Sequence, residues 1–186
     1  MISFVFRYVL DIIFPIQCLG CKKHGQWLCD KCLNSIADYS YNNPLLQKAI
    51  HTFKYKFVKD LAEPLSKLLL KKINFDYDLI IPVPLHPRRL RWRGFNQSEL
   101  LAKEIDKNKV INALVKTKNT KPQIELSGKQ REQNIKNTFK CVFNLKNKKI
   151  LLIDDVETTG NTLDECKKAL LRAGAKKVHC LTLAKT

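Results

Sequence analysis

Two adjacent carboxylates, Asp154 and Asp155, end an apolar run at residues 150–153, and Thr158, Thr159, Gly160, Asn161 and Thr162 follow within one turn. A carboxylate pair accepts hydrogen bonds from neighbouring hydroxyls. Free backbone N–H groups and the positive dipole end at a helix start attract a phosphate, and threonine hydroxyls add donors. Gly160 allows the tight turn without a Cβ clash. A ligand with an anionic end and adjacent hydroxyls satisfies both halves, and a ribose 5-phosphate is such a ligand. A Walker A loop needs a Lys before its Ser/Thr and a second glycine, and a dinucleotide fingerprint needs three glycines; neither pattern is present. A receiver domain built on paired Asp residues needs more sheet after its acids than the chain supplies. A plain strand end with an Asp cap accounts for one acid but not for the pair with its turn.

A second chemistry lies near the front. Cys18-x-x-Cys21 and Cys29-x-x-Cys32 each offer two thiolates from one tight turn, and together they supply a tetrahedral S4 site for Zn2+. A redox dithiol is the rival, but two such pairs so close together favour metal. With seven cysteines, an odd count, and no export signal, a reduced cytoplasm is the expected compartment. Cys141, Cys166 and Cys180 lie in apolar surroundings and are expected to be buried.

A third pattern is basic. The chain carries 34 Lys and Arg against 17 Asp and Glu, a net charge of +17, which attracts nucleic acid, anionic lipid or phosphorylated metabolites, or simply reflects abundant Lys and Asn. Residues 86–93 place Arg88, Arg89, Arg91 and Arg93 beyond a strand end as a loop aimed at the Asp154 rim. Residues 103–149 hold 13 basic and 4 acidic residues, a candidate DNA path. Trp92 among arginines, and Phe53, Tyr55 and Phe57 interleaved with Lys54, Lys56 and Lys59, supply the mixture single strands use for stacking and backbone neutralisation. The alternative for Phe53, Tyr55 and Phe57 is that alternate residues face the core.

The elements that position these groups follow from pattern. With 45% apolar residues, 186 residues suit one α/β domain and a small appendage. Residues 44–72 read as a helix with Leu61, Leu65, Leu68 and Leu69 on one face, and 78–84 as a strand ending in prolines. Asn96 and Glu99 form a capping box for a helix through Ile105. Residues 110–118 and 139–144 read as strands around a mobile basic excursion. Residues 149–153, 162–173 and 178–184 read as strand, helix and strand, with Gly174 as the stop, which makes a βαβ unit and a parallel sheet. The opening sixteen residues, apolar but carrying Arg7 and Asp11, are shorter than a bilayer crossing and lack a cleavage site. Phe6, Val9, Leu10 and Ile13 predict a short amphipathic helix packed on the body, with membrane-surface docking as the alternative. The expected units are 1–40, helix and metal module, and 41–186.

The stretch from Ile153 to Thr162 resembles the phosphoribosyl-pyrophosphate (PRPP) motif of type I phosphoribosyltransferases. Residues 83–102, with Arg93, Gly94, Phe95, Asn96 and Gln97 as the most specific part, resemble ComF-type competence proteins. Thr120, Gln123, Leu126, Arg131, Asn134, Phe139 and the cysteine pairs resemble that family too. The resemblance implies an α/β, phosphoribosyltransferase-like parallel sheet flanked by helices, with a small N-terminal zinc knuckle. It implies that Asp154 and Asp155 hold ribose hydroxyls, that the turn from Thr158 to Thr162 holds the 5′-phosphate, and that Arg88 and Arg89 belong to a pyrophosphate loop. A flexible loop with Lys116, Lys118 and Arg131 would close over Mg2+ and PRPP. Lys116 and Lys118 stand where relatives often carry arginine, which keeps charge but not a bidentate grip. The implied role is in natural transformation, moving incoming single-stranded DNA into the cytoplasm with the DNA-uptake machinery, at the inner face of the membrane or free of it. Arg91, Trp92, Arg93, Lys54 and Tyr55 are the candidate DNA contacts. Two other functions fit the same residues: an active phosphoribosyltransferase on an unknown base or nucleotide, and a PRPP-sensing protein without catalysis.

Overall fold

Apolar runs without polar alternation belong in strands covered on both faces. The computed structural model describes residues 15–36, 39–118 and 137–185, so the expected N-terminal helix and Thr120, Gln123, Leu126, Arg131 and Asn134 lie outside the described residues. In chain order the elements are α1 (Asp30–Asn34), α2 (Pro44–Tyr55), α3 (Ala62–Leu70), β1 (Leu79–Pro82), α4 (Pro87–Arg93), α5 (Gln97–Asp106), β2 (Leu114–Lys116), β3 (Phe139–Cys141), β4 (Lys149–Glu157), α6 (Asn161–Arg172) and β5 (Lys177–Lys185). Single 3-10 turns occupy Lys59–Leu61 and Lys107–Lys109.

Strand β4 is central, parallel to β1 on one side and to β5 on the other. Ile80, Leu151, Ile153, Leu181 and Leu183 face a layer containing α3 and α5. Ile81, Ile150, Leu152 and Val178 face α6 and the β2–β3 ribbon. Single bridges from Val110 to Ile80 and from Ser40 to Lys185 cover the two edges, which blunts their unpaired backbone groups. The strands expected around the basic excursion pair antiparallel with each other, Leu114 opposite Cys141 and Lys116 opposite Phe139, and form a ribbon separate from the parallel sheet.

The helix expected over 44–72 is two helices. Asn43 caps α2 by accepting from the Leu45 and Leu46 N–H groups, with Pro44 at the first position. The break comes at Phe57, whose φ is +59°. A left-handed bulky residue costs about 1–2 kcal/mol, and contacts of its ring with Trp92 and Phe95, 5.6 and 6.5 Å between centroids, offset that cost. The Leu face survives: Leu61, Leu65, Leu68 and Leu69 are all fully buried. Asn96 caps α5 through Ser98 N–H, whereas Glu99 pairs with Lys103 instead of closing a capping box.

The front cysteines converge. The turn after Cys18 is closed by Lys22 N–H to Cys18 O, 3.0 Å, and Cys29 opens α1, which brings Cys32 round one turn later. The Cys18–Cys29 and Cys21–Cys29 Sγ separations are 3.7 and 3.6 Å, and all four sulfurs lie within 4.8 Å of one another. A disulfide needs about 2.05 Å, whereas a tetrahedral zinc site with Zn–S of about 2.3 Å has sulfur–sulfur edges of about 3.8 Å. The cluster therefore has the spacing of a tetrathiolate metal knuckle. Leu28, Leu33 and Ile36 join the same buried cluster as Leu46, Leu65 and Leu151, so the knuckle is bolted to the main core. Of the other cysteines only Cys166 is buried; Cys141 is half-buried and Cys180, on the edge strand β5, is exposed.

Gly20 lies against the cluster: a Cβ there would sit 2.7 Å from Cys32 Sγ. Gly20→Ala must displace that sulfur, and overpacking of this kind costs about 1–3 kcal/mol. Scanning calorimetry is expected to show a lower melting midpoint, by about 2–12 °C.

Candidate functional site

The central strand runs further than its apolar core. Beyond Ile153 the β4–β5 ladder continues through Asp154 opposite Thr182 and Glu157 opposite Lys185, while β1 stops at Pro82 opposite Ile153. The acids thus lie inside a strand, not past its tip as the apolar run alone implies. The extension persists because Lys185 exchanges backbone hydrogen bonds with Tyr39 and Tyr41. The absence of a β1 partner leaves a notch at the carboxyl end of the sheet, where open α/β folds place ligands.

Within that notch Asp154 Oδ1 accepts from Ser98 Oγ at 3.0 Å and from its neighbour's N–H, Asp155 N, at 2.9 Å. Asp155 Oδ1 is paired with Lys54 Nζ at 2.9 Å. Burial first, and then the Asp155 charge, push the Asp154 pKa up to about 7. Burial opposes the Lys54 charge, but Asp155 outweighs it and raises the Lys54 pKa. Lys54, a candidate DNA contact by its sequence setting, is therefore turned inward to the acid pair.

The residues from Arg93 to Ser98 build the wall beside the acids. Gly94 adopts φ +77° and closes α4 with its N–H on Leu90 O at 2.7 Å. Phe95 packs on Phe53, 5.8 Å between centroids. Asn96 Nδ2 donates to Val83 O at 3.0 Å, tying the end of β1 to the start of α5. Arg93 Nη1 donates to Gln97 Oε1 at 2.8 Å, and Ser98 reaches Asp154.

Thr158 and Thr159 are exposed past the acids, and Gly160, φ +76°, precedes α6. Gly160, as the residue before α6, brings no side chain of its own to the first amides of that helix. The expected loop at 86–93 is instead the helix α4, with Pro87 at its first position and His86 Nδ1 accepting from Arg88 N–H at 3.3 Å. Burial first, and then the nearby Arg89 charge, lower the Lys116 pKa to about 8, and Asp154 acts on it in the opposite direction. Arg88, Lys116 and Arg89, after burial, depress His86. Arg88, Arg89 and Lys116 thus form one cationic group within electrostatic reach of the acids. Lys118 is exposed near the end of its described segment, and Arg131 lies outside the described residues.

On the other side is an aromatic shelf. Phe53 is fully buried while Tyr55, Phe57 and Trp92 are exposed by 47%, 42% and 65%, because residues 53–55 are helical rather than alternating. The Arg93 guanidinium lies 5.6 Å from the Tyr55 ring and 5.9 Å from the Trp92 ring. Shelf and acids form a closed circuit: Lys54 to Asp155, Asp155 to Asp154, Asp154 to Ser98, Gln97 to Arg93, and Arg93 to Tyr55, the neighbour of Lys54. Sequence reasoning gave no site role to Ser98 or Gln97, which entered only as members of the 83–102 stretch that carries the family resemblance.

The two acids carry opposite consequences for stability. The folded protein keeps a proton on Asp154 that the unfolded chain releases near pH 4, so this group's contribution is full below that pH and is lost as pH rises toward about 7. Asp154→Asn is expected to flatten the fall in melting midpoint between about pH 4 and 7. Asp155→Asn strips Lys54 of its counter-charge and is expected to cost about 2 kcal/mol, less than a fully enclosed pair because the side chains keep 18% and 13% of their exposure. Calorimetric melts of both variants across pH check the two signs.

The phosphoribosyl transferase domain family matches residues 93–186. DNA utilization protein YhgH of Shigella flexneri is 33% identical over 191 residues, covering 91% of this chain and 83% of that protein. Competence protein F of Haemophilus influenzae is 36% identical over 115 residues, 58% of this chain and 50% of that one. Competence protein ComFC of Bacillus subtilis is 30% identical over 162 residues, 80% of this chain and 62% of that one. With a parallel sheet, an acid-bearing strand end, a four-cysteine knuckle and relatives of this kind over nearly its whole length, the chain belongs to the ComF-type competence protein family and carries its phosphoribosyltransferase-like domain.

Proposed function

We propose that the protein binds PRPP with Mg2+ at residues 154–162 and single-stranded DNA along α4 and the aromatic shelf, and supports DNA uptake into the cytoplasm with the DNA-uptake machinery. The observation that carries the proposal is one strand end that bears the acid pair and leads, through the left-handed Gly160, into the start of α6. Asp154 and Asp155 would accept the ribose hydroxyls and the turn from Thr158 to Thr162 the 5′-phosphate, while Arg88, Arg89 and Lys116 would meet the pyrophosphate. Mg2+ would arrive with the pyrophosphate and offset its charge. The relatives' names, which speak of DNA utilization and competence, support the DNA half of the proposal. Among the described residues no helix is long and apolar enough to cross a membrane.

Cys18, Cys21, Cys29 and Cys32 would hold one zinc ion, whose bonds to sulfur supply the cross-link that so short a module needs. Elemental analysis of protein purified without added metal is expected to find close to one zinc per chain; a persistent absence, with disulfides in its place, overturns the assignment.

Titration calorimetry tests the two ligands separately. Mg·PRPP is expected to bind the full chain, and joint Asp154→Asn and Asp155→Asn substitution to weaken it at least tenfold, or about 1.4 kcal/mol; unchanged affinity removes this site from consideration. At moderate salt, short single strands are expected to bind more tightly than duplexes. Trp92→Ala is expected to cost single-strand binding about 1–3 kcal/mol and to affect duplex binding less.

A further inference from the structure

Two buried donors have no acceptor among the described residues: Nε of Arg93 and Nε2 of Gln97. They belong to a single contact, since Arg93 Nη1 donates to Gln97 Oε1 at 2.8 Å. A guanidinium only donates, so that bond fixes the amide: the oxygen must face Arg93, and the NH2 group is left as a donor. Gln97 is 1% exposed, so water does not freely solvate it. A buried N–H without a partner is a cost that folded proteins seldom carry.

The surroundings identify the missing acceptor. The side of a guanidinium that carries Nε–H presents two parallel donors, a fork that matches two oxygens of one oxyanion better than a single base carbonyl. Asp155 on the same rim pairs with Lys54 through Oδ1. Arg88, Arg89 and Arg91 share α4 with Arg93 and favour an anion from outside. The Tyr55 and Trp92 rings, 5.6 and 5.9 Å from the same guanidinium, offer exposed faces on which an unpaired base can lie. Resting on the single-strand binding proposed above, we propose that Arg93 Nε and Gln97 Nε2 form the anchoring subsite for one phosphodiester group of a single-stranded nucleic acid, with a base flanking that phosphate placed on the Tyr55, Phe57 and Trp92 shelf. Arg93 then acts twice, as phosphate fork and as the cation beneath the stacked rings.

Fluorescence anisotropy of the full chain with a short labelled oligothymidylate, at moderate salt, tests the subsite through two substitutions. Gln97→Glu turns the orphan contact into an internal carboxylate–guanidinium pair and removes the Nε2 donor. Gln97→Met keeps the length and removes the amide without adding charge. Both variants are expected to bind the oligonucleotide about tenfold or more weakly, and Gln97→Glu to keep or raise the melting midpoint. If the wild-type chain binds and both variants match it, an internal water satisfies the donors and the subsite is overturned while single-strand binding stands. A loss confined to Gln97→Glu also overturns it, since bulk charge then accounts for the effect. A wild-type chain that binds no oligonucleotide overturns single-strand binding itself, and the subsite with it.

Discussion

Two carboxylates side by side at a half-buried strand end repel each other and resist desolvation, and much of the architecture around the notch is an answer to that problem. Lys54 comes from α2 and Ser98 from α5, two elements separated by β1 and α4, and both reach the same pair. The compensation is unequal: Asp155 receives a full positive charge, whereas Asp154 receives hydrogen bonds on one oxygen and is the acid held closer to its neutral form. One carboxylate and one group near its titration point present different hydrogen-bonding faces to a diol, an acceptor and a donor–acceptor.

The same compensation makes the two halves of the site inseparable. Lys54 and Tyr55 are consecutive residues in the last turn of α2, one turned to the acids and the other exposed on the shelf. Arg93, Gln97 and Ser98 repeat the arrangement on the opposite wall. The acid pair and the aromatic shelf are thus carried by the same two walls.

The legible parts of the sequence were those decided locally. The β4–α6–β5 unit was readable because an apolar run, a small-residue turn and a glycine stop all lie within one short stretch, and the cysteine pairs because two close CxxC spacings leave few alternatives. The break at Phe57 was not readable, since its cause is the ring of Phe95 and the indole of Trp92, distant in sequence. The helix at Pro87–Arg93 carried its marks, a proline start and a glycine stop, but its run of arginines drew attention to charge instead of to those ends. The partners of the acids could not be read from the chain, because Ser98 and Lys54 meet them only through tertiary packing. Burial of the later cysteines failed at Cys141, which is half-buried, and at Cys180, which is exposed on the edge strand β5.

The order of strands also governs how the chain can be made. β1 pairs along its whole length with β4, Leu79 opposite Ile150, so the parallel sheet has no centre until the ribosome has moved well past both walls of the notch. Until then the apolar faces of α2, α3 and α5 have nothing to cover them, a state exposed to aggregation. Among the described residues the cysteine knuckle is closed by contacts short in sequence, and it packs Leu28 and Leu33 into the core cluster that the later helices share. Metal supply during translation would then act as a folding schedule, with the nascent chain anchored at its front while it waits for its central strand.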